Sequence, residues 1–348
     1  EIRRKVQKSV KRCKTPITKI GAFYSRQPDP GTRNAYKLTH QSAFPGERPN
    51  KRGFNVKQSA SVVLMVCMAI LFNAPVAYPQ TSSVWAAKGP KANVYLAGAC
   101  HVLRASDHPL PSVFEKAYTD SARIIFEAPP ADLETKLYTQ KLMAIAAYAD
   151  GTTLRQHLKP AVYAKAQKFC RERGYPFEQY QLFRPWMLSM MLTMQELARI
   201  GVEADFGVDR FFYQRALRDG KPTGGLESAD DQLSFLNMLD QGMGNEQVSE
   251  TIDDLLHLES KVEDILAAWR TGDEAGLENF NLRELKNYPR LYEVLVVERN
   301  KKWAERIEGL LKGEDNAMII VGVAHLAGAS SVIGLLRGRG YEVTKVSP

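Results

Sequence analysis

The chain has 348 residues, and its hydrophobic fraction of 44% and charged fraction of 25% are those of a globular protein with one large domain or two ordinary ones. The net charge of +8 belongs to the N-terminus: residues 1–57 carry 15 Lys or Arg and 3 Asp or Glu, and the rest of the chain carries 32 basic and 36 acidic side chains. The charge pattern therefore does not support a basic body that binds a phosphate backbone, and we expect no nucleic-acid partner. A nucleic-acid binder, suggested by the high isoelectric point, is the weakest alternative.

An uncharged apolar run, residues 61–72, follows basic residues and precedes a stretch of small residues and prolines. This layout is typical of a secretory signal, and the run is shorter than the roughly 20 residues that span a membrane. We expect cleavage after Ala77 or Ala86, a periplasmic or secreted protein, and no stable membrane span after cleavage. The alternative is a cytoplasmic tail followed by a buried strand. The predicted segments are a basic extension (1–60), disordered or upstream of the natural translation start, a signal-like segment with linker (61–87), and a folded domain (88–348).

The first predicted elements form a βαβ-like unit. Residues 93–98, "NVYLAG", are predicted as a buried strand, and Pro109 and Pro111 open a loop and a short helix. A second strand, within residues 122–130, stops at a double proline. Because the two strands are about 30 residues apart, the pattern favours a parallel pair.

The middle of the chain is predicted to be mostly helical, over residues 132–200 and 229–275. Short extended pieces are expected to end at Asp209 and Glu227. Four elements are predicted to close the chain: a long helix over 288–313, a strand within 317–326, a short helix, and a strand that ends at residue 346. The fold class is therefore α/β, with a mostly parallel sheet built from the N- and C-terminal segments and a large helical middle that caps it.

Two apolar runs end in the same motif, Gly98-x-x-His101 and Gly322-x-x-His325. We expect the glycines to permit a tight turn with positive φ at the strand exit. Functional groups gather at the carboxyl ends of parallel strands, so both imidazoles are predicted to reach one sheet edge. The alternative is a pair of structural histidines, each satisfied by hydrogen bonds. Three carboxylates are expected at the same edge: Glu127, Asp209 and Glu227.

Two histidines and a carboxylate form a metal-ligand set. Neutral imidazole and carboxylate suit Zn²⁺, Mn²⁺, Co²⁺ or Fe²⁺, and three protein ligands leave a position for water. A second carboxylate is then available as a general base, and Glu227 is our candidate.

A polar pair, Arg299 and Asn300, interrupts the apolar stripe of the long helix. One interpretation is that Arg299 reaches the site and holds a substrate carboxylate or a developing oxyanion. The other is a buried pair satisfied by backbone carbonyls or by a local carboxylate such as Glu298. The sequence leaves both open, as it leaves open whether Cys100 and Cys170 pair.

Several motifs in order resemble the TraB/GumN family: "VYLAGACHVLRASDHPLP", "IIFEA", "GLES", "ERNKKWAERI" and "VGVAHLAGASSVIGLLRGRGYEV". The resemblance covers residues 91–346. It extends to the TIKI proteins and to a wider group with erythromycin esterases and ChaN haem-binding lipoproteins. In the TIKI branch, two Gly-x-x-His motifs and a glutamate define a metal-dependent protease. The resemblance implies that His101, His325 and Glu127 are the metal ligands, and it adds Glu227 and Arg299 as residues of the site.

Two functions are therefore expected in competition. The first is a secreted or periplasmic, metal-dependent hydrolase that acts on a peptide or small amide and uses Mn, Co or Zn. The second is a non-catalytic protein of the cell envelope that binds a peptide, pheromone or haem in the same cleft.

Overall fold

The computed structural model describes residues 82–239, 243–285 and 288–348. For residues 280–285 it describes the backbone only. The predicted basic extension and the apolar run at 61–72 lie outside the described residues, as does the predicted cleavage position at Ala77.

One six-stranded sheet has the order β4-β3-β5-β2-β1-β6. Strands β2 to β5 are mutually parallel, and β1 runs antiparallel to both β2 and β6. This confirms the predicted α/β class with a mostly parallel sheet. The strands are β1 (Val84–Lys88), β2 (Asn93–Ala99), β3 (Arg123–Phe126), β4 (Thr223–Gly225), β5 (Ala317–Gly322) and β6 (Val343–Lys345).

Two details of the sheet differ from the sequence-based expectation. Strands β2 and β3 are parallel but do not pair with each other, because β5 lies between them. The segment expected as a linker contains β1, whose Trp85 is completely buried. Cleavage after Ala86 would cut this strand in the middle of the sheet, and the ordered fold begins upstream of the predicted boundary at residue 88.

The region between β3 and β5 is mostly helical, as predicted. The helices in chain order are α1 (Ser112–Thr119), α2 (Pro130–Leu133), α3 (Lys136–Ala146), α4 (Leu154–His157), α5 (Pro160–Arg173), α6 (Pro185–Arg199), α7 (Val208–Asp219), α8 (Ala229–Met238), α9 (Gly244–Leu255), α10 (Leu258–Thr271), α11 (Glu274–Leu285), α12 (Pro289–Tyr292), α13 (Glu298–Leu311) and α14 (Val332–Gly338). A π-helical turn, Glu293–Val297, joins α12 to α13.

Alternation along the central strands buries both faces of the sheet. Leu96 on β2 and Ile319 on β5 face α13 and α14, where they pack with Trp303. Their neighbours Ala97 and Ile320 face the opposite core. That second core includes buried residues of α1, α7 and α10: Val113, Phe114, Phe212, Leu266 and Trp269.

The helices of the middle region have a core of their own. Trp186, Leu188 and Leu192 of α6 pack with Cys170 of α5 and Ile252 of α9. Because the Met-rich segment of α6 lies in this core, it is packing surface rather than an exposed binding face. Cys100 borders the sheet core instead, and both cysteines are free. No helix within the described ranges combines the length and apolar character needed to cross a bilayer.

Candidate functional site

Four parallel strands deliver four polar side chains to one edge of the sheet. In the order β4-β3-β5-β2, the residues that follow the strands are Glu227, Glu127, His325 and His101. The register pairs Ala99 with Gly322, so the two Gly-x-x-His motifs leave the sheet side by side. Residues more than two hundred positions apart therefore meet because β2 and β5 are neighbours.

The glycines serve close packing rather than an unusual backbone conformation. Neither has positive φ, and Gly322 has φ −48°. A Cβ atom on Gly98 would lie 2.7 Å from a methyl group of Val323, and one on Gly322 would lie 3.1 Å from His101 Nε2 and 3.2 Å from Glu127 Oε1. The predicted positive φ is therefore wrong, although a 3₁₀ turn, Val323–Leu326, does follow Gly322 directly. Gly322 instead keeps open the space between an imidazole and a carboxylate.

His101 is held by the start of α7. The N–H of Val208 donates to the Cys100 carbonyl at 3.0 Å, and the next residue, Asp209, lies with Oδ1 3.3 Å from His101 Nδ1. Desolvation lowers the pKa of His101, but the carboxylates of Asp209 and Glu127 outweigh it and raise the pKa overall. With its pKa raised to about 9, this imidazole is protonated at neutral pH. Asp209 holds the Nδ1 side, so Nε2 is the nitrogen that faces the site, and a metal ion would take the place of its proton.

His325 is buried and is oriented by Asn300. The Asn300 amide nitrogen donates to the Ser330 carbonyl at 2.9 Å, which leaves its Oδ1 to accept from His325 Nδ1 at 2.7 Å. Burial, reinforced by Arg299, lowers the pKa of His325 to about 4 against the opposing effect of Glu127. The imidazole is therefore neutral at pH 7, with its Nε2 lone pair directed into the site.

Glu127 lies between the two imidazoles. Its Oε1 is 3.9 Å from His101 Nε2 and 4.0 Å from His325 Nε2, and it accepts a 2.8 Å hydrogen bond from the Gly322 N–H. Burial raises the pKa of Glu127, but the nearby imidazoles, Arg299 and the Gly322 N–H lower it to about 2. The carboxylate is therefore ionised at neutral pH.

Arg299 connects the carboxylates with His325. Its Nη2 donates to Glu127 Oε2 at 2.8 Å and to Glu227 Oε1 at 2.6 Å, its Nε donates to Glu227 Oε2 at 3.0 Å, and its Nη1 lies 3.2 Å from His325 Nε2. The guanidinium also stacks on the Trp303 ring, 4.6 Å from its centroid. The structure thus places Arg299 inside the cluster. Its partners are Glu127, Glu227 and, as the alternative expected in part, a backbone carbonyl, that of Leu295, to which Nη1 donates at 3.1 Å.

Glu227 is buried, with both oxygens engaged. Besides Arg299, its Oε2 accepts from Trp303 Nε1 at 3.2 Å. Burial raises the pKa of Glu227 and Glu127 adds to that effect, while Arg299 opposes it. As arranged, this carboxylate accepts three hydrogen bonds from Arg299 and Trp303 and so holds the guanidinium in place. The general-base role expected from the sequence stays a prediction.

The donor set suits a divalent metal ion, although the described residues contain no group of three His, Cys, Asp or Glu side chains arranged closely enough to hold one. Ligand atoms on a tetrahedral ion are about 3.3 Å apart, roughly 0.6 Å less than the distances from Glu127 Oε1 to the two Nε2 atoms. Because Gly322 has no Cβ atom, space remains beside Glu127 and His101. Arg299 is the obstacle, because its Nη1 points at the His325 lone pair.

Two side chains of the site make contacts that the sequence did not predict. Asp209 was expected at the end of an extended piece, but a 3₁₀ turn, Ala204–Phe206, precedes it and α7 begins one residue before it. The sequence predicts Asn300 only as one of a polar pair, and its contact with His325 is new. The sequence feature that points to it is a polar residue within the apolar stripe of the long helix. His108 is half-buried, and its Nε2 lies 2.8 Å from the Phe206 carbonyl oxygen.

The fold and the site define an α/β protein with a His-Glu-His cluster at the carboxyl edge of a parallel sheet. The chain belongs to the TraB/PrgY/gumN family, whose family model matches residues 83–345. This confirms the family predicted from the sequence motifs.

The relatives found among known proteins are distant in sequence. The uncharacterized protein YbaP of Escherichia coli is 24% identical over 247 residues, which are 70% of this chain and 87% of YbaP. Metalloprotease TIKI2 of Danio rerio is 26% identical over 326 residues, with 77% of this chain and 61% of TIKI2 covered. The Metalloprotease TIKI homolog of Nematostella vectensis is 25% identical, with coverages of 73% and 65%. The chain thus spans about three-fifths of the length of the TIKI relatives, and no solved structure matches it.

Proposed function

We propose that the protein is a metal-dependent hydrolase that cleaves a peptide or a similar amide. The observation that carries the proposal is the convergence of two imidazole Nε2 atoms on one ionised carboxylate oxygen, Glu127 Oε1. The distant similarity to proteins named metalloproteases supports the same chemistry.

His101, His325 and Glu127 would hold the ion, and Mn, Co and Zn all suit this donor set. When bound, such an ion lowers the pKa of its water and polarises a substrate carbonyl. For His325 to bind it, the Nη1 of Arg299 has to leave the His325 lone pair, whereas Glu227 keeps hold of the rest of the guanidinium. Asp209 and Asn300 fix the tautomers of the two imidazoles so that both Nε2 atoms remain available.

Arg299 donates hydrogen bonds, and Glu227 positions it. Once displaced from His325, Nη1 is directed at the same space and is suited to bind the substrate carbonyl oxygen as negative charge develops on it. Because Glu227 holds both Nε and Nη2 of this guanidinium, we assign it as a positioning residue. Glu127 holds the same guanidinium from the other side and so links the arginine to the imidazoles.

The test is hydrolysis of a mixture of peptides by the metal-stripped protein, read by mass spectrometry. We expect no cleavage without metal, cleavage after addition of Mn²⁺, Co²⁺ or Zn²⁺, and none with His101→Ala under the same conditions. Cleavage that persists in both the stripped protein and the variant contradicts the proposal. Binding of peptide or porphyrin without any bound metal would favour the non-catalytic function.

A further inference from the structure

A cavity of about 260 Å³ opens directly beside the candidate site. His101, Glu127 and Asp209 form one end of it. The remaining wall is mostly apolar, and its apolar members are Phe126, Ala128, Pro130, Leu133, Tyr213 and Ile320. Phe126 and Tyr213 meet edge to face with their ring centroids 6.0 Å apart, which fixes the shape of this wall.

The cavity wall contains two cationic side chains, and both are already paired. One is His101, whose Nδ1 lies 3.3 Å from Asp209 Oδ1. The other is Arg210. Its Nη1 donates to Glu134 Oε1 at 2.6 Å, and the two side chains are only 14% and 26% exposed. An acidic ligand therefore finds no free positive charge there, while the carboxylates of Asp209 and Glu127 repel it at the other end. The charges thus disfavour an acidic group. Away from the end with Asp209 and Glu127, the polar side chains of the wall are Gln232 and the paired Arg210, which leaves a desolvated lysine or arginine without a free carboxylate.

We propose that this cavity is a specificity pocket for one large apolar side chain of the substrate, such as Phe, Tyr, Leu or Met. The inference rests on the proposed hydrolase function, because it identifies the residue that lies next to the cleaved bond. The volume of the cavity is large enough for such a side chain, since an apolar cavity of roughly 150 Å³ already accommodates benzene. A side chain seated against Phe126 and Tyr213 places its backbone at the end of the cavity where His101 and Glu127 lie.

Leu133 provides a mild variant, because it is half-buried at the rim and lies at the last position of α2. Leu133→Asp introduces a charge into the pocket without removing a fully buried side chain. The matched control is Leu137→Asp on α3, whose side chain is 61% exposed and lies outside the cavity lining.

The experiment compares capped peptides that differ only in one residue, Phe or Ala, next to the cleaved bond. With the metal-loaded full chain, we expect kcat/KM for the Phe peptide to exceed that for the Ala peptide by about tenfold or more. Leu133→Asp should abolish this ratio by lowering kcat/KM for the Phe peptide about tenfold or more. Leu137→Asp should keep the ratio.

A second measurement separates the pocket from the hydrolase. N-phenyl-1-naphthylamine, a neutral apolar fluorophore, should bind the full chain, be displaced by the Phe peptide, and bind more weakly to Leu133→Asp. If no peptide is cleaved but this pattern holds, the pocket stands and the proposed hydrolase fails. If peptides are cleaved with no preference for Phe over Ala, the hydrolase stands and the pocket is wrong. Failure of both measurements overturns the pocket as well.

Discussion

Gly322 shows how a missing side chain shapes the site. A Cβ here would lie within 3.2 Å of both His101 Nε2 and Glu127 Oε1, although φ −48° is allowed for any residue. We therefore predict that Gly322→Ala keeps the fold but weakens metal binding by about tenfold or more, comparable to the loss of an outer-shell partner. Isothermal titration with Zn²⁺ measures the effect.

The matched control for that variant is Gly309→Ala. Gly309 lies on an exposed part of α13, and no atom lies within 4 Å of the added Cβ. This variant should bind metal normally and gain about 0.5–1 kcal/mol of stability. Equal metal binding by Gly322→Ala and Gly309→Ala would show that the space beside Gly322 is not where the ion lies.

A double-mutant cycle of Glu227 and Arg299 tests whether Glu227 is a positioning residue or a general base. The two roles predict different losses of kcat/KM in the double variant. If Glu227 acts through Arg299, Glu227→Gln and Arg299→Met each lower kcat/KM, and the double variant is no worse than Arg299→Met alone. Independent roles would instead multiply the two losses. Glu305→Gln, exposed on the same helix, is the neutral control.

At the scale of elements, helix α13 brings three functional side chains to the sheet. Arg299, Asn300 and Trp303 share the face that meets His325 and Glu227, and a π-helical turn lies immediately before this helix. The extra residue of a π-turn shifts the face that the following residues present, and such turns are frequent at functional sites.

Asn300 is the most buried polar residue of this helix face, with no exposed surface. Asn300→Ala leaves the Nδ1–H of His325 and the Ser330 carbonyl without partners, so we expect a loss of about 1–3 kcal/mol in the free energy of unfolding. Metal affinity should fall about 10–100-fold, because His325 loses its fixed tautomer. Urea unfolding and Zn²⁺ titration measure the two effects.

The exposed Asn237→Ala on α8 is the control for that prediction and should change neither quantity. An unchanged metal affinity in Asn300→Ala would mean that His325 does not need this partner.

The elements also show what the sequence predicts well. Apolar runs ended by glycine or proline mark β2, β3 and β5 correctly, since burial on both faces requires continuous hydrophobic residues. The local sequence does not show which strands pair with each other. Strand β5 comes from the far end of the chain and yet lies between β2 and β3. Likewise, nothing near Asp209 in the sequence shows that the start of α7 packs on the loop that carries His101.

At the scale of the whole molecule, β1 constrains any processing of the N-terminus. Val84–Lys88 pairs with both β2 and β6, and Trp85 packs against the core beneath α13 and α14. We therefore predict that a mature, exported form begins upstream of Val84, in agreement with cleavage after Ala77 and not after Ala86. Mass spectrometry of the intact exported protein measures this, and a chain that begins at Ala87 would contradict the assigned sheet.

The sequence predicts which residues form the site, but it does not predict how their side chains contact one another. The strand-end histidines and the two glutamates follow from sequence position, since parallel strands end at one sheet edge. The contact of Arg299 with His325 could not be predicted, because it depends on how α13 crosses the sheet after the π-turn. That contact is what competes with a metal ion in the cluster.

The central claim is that His101, His325 and Glu127 hold one divalent ion. The most direct measurement is titration of the metal-stripped full chain with Mn²⁺, Co²⁺ and Zn²⁺, alongside His101→Ala, His325→Ala and the exposed control His257→Ala. We expect one ion per chain for the natural protein and the control, and none for the two site variants. Absence of stoichiometric binding, or binding that survives in both His101→Ala and His325→Ala, would contradict it.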